Sequence, residues 1–200
     1  MDLTLDQGVD LVSYARSVIE GNYSGSKPSI PDSLRDVFAE KRGVFVTITR
    51  YPGHELRGCI GYPEPTLPLG VAVERASLSA ALEDPRFPAV DESEMDSLLL
   101  EVSVLTKPEI VKVEDPRQYV EKVVVCRDGL IAEKGWSRGL LLPQVPVEWG
   151  WDSEEFLCHT CVKAGLQPTA WLDDGFKLYS FQAQIFSEES PRGTVVEKEI

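Results

Sequence analysis

From Val44 to Thr49 the chain alternates two kinds of side chain, turns through Tyr51-Pro52-Gly53-His54, and returns as Glu55–Gly61. Val44, Val46 and Ile48 fall on one side, Phe45, Thr47 and Thr49 on the other. A period of two is the pattern of a strand with two unlike faces. Two such runs joined by a tight turn pair antiparallel, and the turn chemistry agrees: Pro52 sets φ and Gly53 tolerates a positive one. Leu98–Thr106 repeats the pattern, with Leu100, Val102 and Val104 opposite Glu101 and Ser103. Val123–Cys126 and Leu130–Glu133 flank Asp128-Gly129, a short hairpin signal. Asp174-Gly175 leads into one long expected strand, Phe176–Phe186, and the tail from Ser187 reads as polar and loose.

Helices fill the gaps. Thr4–Gln7, Asp91–Glu94 and Asp152–Glu155 are capping boxes. The first predicts a helix with Leu5, Val9, Val12 and Ile19 inward and Leu11, Ala15 and Val18 widening the stripe. A shorter helix from Ser33 is expected to stop at Gly43, and another over 67–83 at Asp84-Pro85. The third box opens a helix that stops at Gly165. Hairpins outnumber strand–helix–strand units, so the expected fold class is α+β, with mostly antiparallel sheets and flanking helices. The Pro and Gly clusters near 61–68 and 107–116 are the expected joints between two sub-domains of a single unit.

The 200 residues carry 33 acidic against 20 basic side chains, a net charge of −13. That balance disfavours nucleic acid and anionic membranes as partners and leaves a small molecule or another protein. The first fifteen residues contain Asp2, Asp6 and Asp10 but no Lys or Arg, unlike an export signal, so a cytoplasmic location is expected. The four cysteines are then expected as free thiols.

The segment Leu56-Arg57-Gly58-Cys59-Ile60-Gly61 is the most unusual stretch. On an unbroken strand Arg57, Cys59 and Gly61 share a face. A guanidinium two residues from a thiol favours the thiolate and can anchor an anion, while the glycines admit a ligand or another backbone. The alternative is a tight sheet crossing in which Cys59 is a small inert hydrophobe. Cys158-His159-Thr160-Cys161 does not make a metal site. His159 lies on the helix face away from Cys161, two cysteines leave a tetrahedron incomplete, and no metal is expected. No Gly-rich phosphate loop is present and no cofactor is expected. His54, in a turn, is a poor base for a catalytic triad, and Trp149 and Trp151 read as core or as a pocket wall.

The hexapeptide resembles the hallmark of the AMMECR-one family, and the likeness extends over residues 5–186. Gly43–Thr47, Asp84-Pro85-Arg86-Phe87-Pro88, Glu101–Thr106, Asp128–Leu130, Leu142–Val145, Gly150–Asp152 and Lys163–Leu166 follow in the family's order. The resemblance implies two sub-domains built on antiparallel sheets, with a cleft where they meet and the hexapeptide close to it. It also implies a shared pathway with a radical-SAM enzyme and a Memo-like protein, but names no reaction. Among its motif residues, Cys59 and Glu101 are the candidate nucleophile and acid/base. Arg57, Gly58, Gly61, Asp84, Arg86 and Gln144 are the candidate substrate-binding residues. Asp84 and Arg86 read equally well as a turn carboxylate and its ion pair. Two functions remain open: an enzyme or substrate-handling protein working through Arg57 and Cys59, and a non-catalytic protein-binding or regulatory module.

Overall fold

A computed structural model describes residues 2–199. The chain divides into two units, one running to Leu105 and resuming over Gln184–Glu199, the other Thr106–Ala183. The fold is α+β, and every strand pair of known register is antiparallel.

The first unit contains helix α1 (Leu5–Ser24), helix α2 (Arg35–Ala39), strands β1 (Gly43–Arg50) and β2 (Leu56–Tyr62), helix α3 (Leu69–Leu82) and strand β3 (Leu98–Leu105). Its sheet has the order β2-β1-β3-β8-β9, where β8 is Ala183–Glu188 and β9 is Val195–Lys198. The expected hairpin forms, with Val44 opposite Tyr62 and Ile48 opposite Gly58. Its left-handed residue is His54 (φ 57°) rather than Gly53. Helices α1 and α3 cover one face of the sheet. There Val44, Val46, Ile48, Leu100, Val102 and Val104 pack with Leu11, Ala15, Val73 and Ala76.

The buried stripe of α1 is rotated from the expected one. Leu5 is 50% and Val9 38% exposed, whereas Tyr14 and Arg16 are buried. Arg16 turns inward because Glu188 meets it. Its Nε and Nη2 donate to the two Glu188 oxygens at 2.7 and 2.5 Å, and Nη1 and Nη2 donate to the Met95 and Leu98 carbonyls. A buried guanidinium needs such a full set of acceptors. The tail is therefore ordered through Glu188 and continues into β9. Gly43 opens β1, and the second helix stops earlier, at Glu40.

The second unit holds strand β4 (Glu109–Ile110), helix α4 (Tyr119–Lys122), strands β5 (Gly129–Lys134) and β6 (Ser137–Leu141), helix α5 (Gln144–Trp149), helix α6 (Ser153–Lys163) and strand β7 (Lys177–Phe181). The sheet order is β4-β7-β5-β6, and α6 packs over β5 and β6. Leu130, Ala132, Phe156, Leu157, Cys161 and Leu178 form its core. Two expectations change here. Asp128-Gly129 is not a hairpin turn; the Asp128 carboxylate accepts the Val124 N–H at 2.9 Å and pairs with Arg127, closing a loop. The hairpin turns instead at Gly135-Trp136, between β5 and β6. The expected strand 176–186 breaks at Gln182, so β7 and β8 join different sheets. All three capping boxes form as expected. Among the described residues no helix is long and apolar enough to cross a membrane.

Candidate functional site

The hexapeptide is β2, an edge strand, and one irregularity governs it. Ile48 faces Gly58 while Thr49 faces Leu56, so Arg57 has no partner on β1. This β-bulge breaks the alternation that would place Arg57 and Cys59 on one face. Arg57 is 3% exposed. Its Nε and Nη2 donate to Glu94 at 3.1 and 2.9 Å, and Nη1 and Nη2 donate to the Pro88 and Ala89 carbonyls at 2.8 and 3.3 Å. Arg57 thus ties β2 to the segment 88–94. The same guanidinium, chiefly through hydrogen bonding, holds the Glu94 carboxyl below its ordinary range.

The second tie acts on Cys59 itself. Its N–H donates to Asp84 Oδ2 at 2.9 Å, and its carbonyl accepts from Arg86 Nη2 at 3.1 Å. Arg86 in turn holds both Asp84 oxygens, at 2.9 and 2.7 Å. Asp84 and Arg86 together present one acceptor and one donor to the outer edge of β2, as a neighbouring strand would. Hydrogen bonding by Arg86, reinforced by the Cys59 N–H, holds the buried Asp84 carboxyl well below the usual carboxylate range against the opposing effect of burial. The cation beside the Cys59 thiol is therefore Arg86, whose own ionisation is raised chiefly by Asp84 and in smaller part by Cys59.

Both glycines of the hexapeptide have packing reasons. A Cβ on Gly58 would lie 2.1 Å from the Ala80 carbonyl oxygen, so only glycine lets α3 sit this close to β2. A Cβ on Gly61 would lie 2.3 Å from the Phe45 ring.

On the sheet face opposite α3, Cys59, Thr47 and Glu101 stand in one row across β2, β1 and β3. Thr47 Oγ1 donates to Cys59 Sγ at 3.3 Å. Thr47 lies between the other two, which puts the backbones of Cys59 and Glu101 two strand spacings apart, about 9–10 Å. Glu101 is also turned the other way, accepting from Lys198 Nζ of β9 at 2.7 Å. The row beside it is Gly61, Phe45 and buried Ser103. The structure thus brings Cys59, Asp84 and Arg86 together and leaves Arg57 and Glu101 with other partners. Gln144 lies in the second unit, its Oε1 buried and without a protein partner.

Sequence reasoning missed Thr47 and Lys198, and it read Glu94 only as a helix cap. Glu94 does fill that capping role, while also receiving Arg57. Among the described residues no three His, Cys, Asp or Glu side chains converge on a possible metal position. His159 instead stacks on Trp151, 3.8 Å between ring centroids. Cys161 is buried, and burial pushes its thiol up to about 11.

A family model described as AMMECR1 matches residues 12–186. A protein of Methanocaldococcus jannaschii is 58% identical over 198 residues, covering 99% of this chain and 98% of that one. One of Methanothermobacter thermautotrophicus is 55% identical over 188 residues, covering 94% and 97%. The crystal structure of an uncharacterised protein from Pyrococcus horikoshii superposes with a TM-score of 0.85 at 51% identity, covering 96% of this chain and 97% of that one.

Proposed function

This chain belongs to the AMMECR1 family, and we propose that it works as a binding module rather than as a catalyst, presenting the sheet face around Cys59, Thr47 and Glu101 to a protein partner. One observation carries this reading: the ionic side chains around the hexapeptide are committed to holding backbone. Asp84 and Arg86 clamp the two main-chain groups of Cys59, and Arg57 clamps the segment 88–94. Glu101, the nearest candidate base on the sheet, is paired with Lys198. A nucleophile needs a base within about 3 Å or one water, and the row supplies only the Thr47 hydroxyl. What these clamps produce is a rigid strand edge and a fixed polar row, which suits recognition.

A second reading, substrate handling in a pathway with a radical-SAM enzyme and a Memo-like protein, is favoured by the half-exposed Arg86 beside Cys59. That cation could anchor an anionic substrate beside the thiol. Iodoacetamide labelling at neutral pH, followed for each cysteine by mass spectrometry, separates the two. The binding reading expects exposed Cys126 to react ahead of Cys59, and Arg86→Met to leave the Cys59 rate within about twofold. A Cys59 that leads all four thiols, and slows tenfold in Arg86→Met, would overturn it in favour of the nucleophile.

A further inference from the structure

The second unit carries an exposed aromatic ladder that neither reading of the hexapeptide uses. Trp151 lies flat on His159 of α6, with ring centroids 3.8 Å apart and planes 6° from parallel. Trp149 lies over Trp151 at 6.1 Å and 18°. The chain makes this possible by ending α5 at Gly150, whose left-handed backbone (φ 66°) reverses direction between the two tryptophans. Trp151 is anchored on the core of its unit, but Trp149 is 70% exposed. Burial does not explain an indole left in water at the end of a stack.

The charges flanking the ladder along the chain are mainly acidic, the first basic side chain after it being Lys163 in the last turn of α6. Between Gln144 and Val162 the chain has four carboxylates (Glu148, Asp152, Glu154 and Glu155) and no Lys or Arg. All four are exposed. An indole face carries negative quadrupole density, and carboxylates around it add to the attraction for a cation. We propose that this ladder is the docking site for a basic segment of a partner protein, with an arginine side chain seated on the free face of Trp149. Guanidinium is planar and more weakly hydrated than an ammonium, so it stacks flat on an indole at a lower desolvation cost. The whole chain, at −13, adds a long-range field that steers a basic partner in and holds nucleic acid off. A second copy of this chain would bring the same acidic rim to the contact, and like charges oppose it.

The test uses the full chain, labelled with nitrogen-15, and two synthetic probes. One is the pentapeptide acetyl-Leu-Arg-Ala-Leu-Arg-amide, the other the same peptide with citrulline for arginine. The expected result is that the arginine peptide shifts the indole N–H signals of Trp149 and Trp151 and the citrulline peptide does not. Trp149→Ala is expected to weaken binding about fivefold, and Trp149→Phe, which keeps a ring on the ladder, to stay within about threefold of the native chain. Glu148→Gln with Glu154→Gln is expected to flatten the dependence of affinity on salt. Equal binding of the two peptides, or an arginine peptide indifferent to Trp149→Ala, would overturn the proposal. So would tetramethylammonium binding more tightly than the peptide, or self-association of the chain that Trp149→Ala abolishes. The readout is the indole signals of Trp149 and Trp151 themselves, whereas the sheet-face reading is tested by cysteine labelling, so either can fail without the other.

Discussion

The carboxylate of Asp84 accepts the backbone N–H of Cys59 at 2.9 Å, so a side chain twenty-five residues away stands where the next strand of the sheet would be. Arg86 completes the imitation by donating to the Cys59 carbonyl. An edge strand with open main-chain groups invites pairing with another chain, and this clip closes the middle of β2 to it.

Replacing Asp84 by Asn tests the clip and its pH dependence together. The Asp84 carboxyl is held below its unfolded value, so its contribution is complete above about pH 4 and fades as pH falls through the folded value. At pH 7 Asp84→Asn is expected to cost roughly 2–3 kcal/mol in urea unfolding. Toward pH 2 the gap between native chain and variant should narrow. A gap that is constant from pH 7 to pH 2 would show that the charge of Asp84 is irrelevant.

Arg57→Met keeps the aliphatic stem and removes the guanidinium from Glu94 and from the Pro88 and Ala89 carbonyls. A loss of about 2 kcal/mol is expected. Hydrogen exchange should rise at the amides of 89–94 before it rises in β1. Unchanged protection over 89–94 would mean that Arg57 does not anchor that segment.

Gly58→Ala forces a methyl to within 2.1 Å of the Ala80 carbonyl oxygen, a backbone atom that cannot rotate away. α3 has to lift off β2, and overpacking of this kind costs about 1–3 kcal/mol or more. A melting temperature equal to that of the native chain would refute the close approach.

Arg16→Met leaves the Glu188 carboxylate buried without its partner and is expected to cost about 3–5 kcal/mol. The double variant Arg16→Met, Glu188→Leu removes both charges and should recover most of that loss. A double variant as unstable as the single one would show that the loss does not come from the unpaired Glu188 carboxylate.

Local chemistry was legible in the sequence. The capping boxes at Thr4, Asp91 and Asp152 form because their reciprocal bonds span three residues and need nothing else. The β1–β2 hairpin and the two faces of β3 follow from side-chain alternation and a five-residue connection. Cys59 stood out by its chemistry beside Arg57, and Asp84 and Arg86 by the family resemblance, yet nothing in their spacing says that two side chains close on the main chain of the third. Tertiary structure alone decided four things: the bulge that separates Arg57 from Cys59, the turn of Glu101 toward Lys198, the inward rotation of Arg16 onto Glu188, and the break at Gln182. Each depends on a contact between segments far apart in the chain, whose free energy outweighs the local pattern. A single extra residue in a strand is enough to reverse which face a side chain joins, and no periodicity within that strand records it.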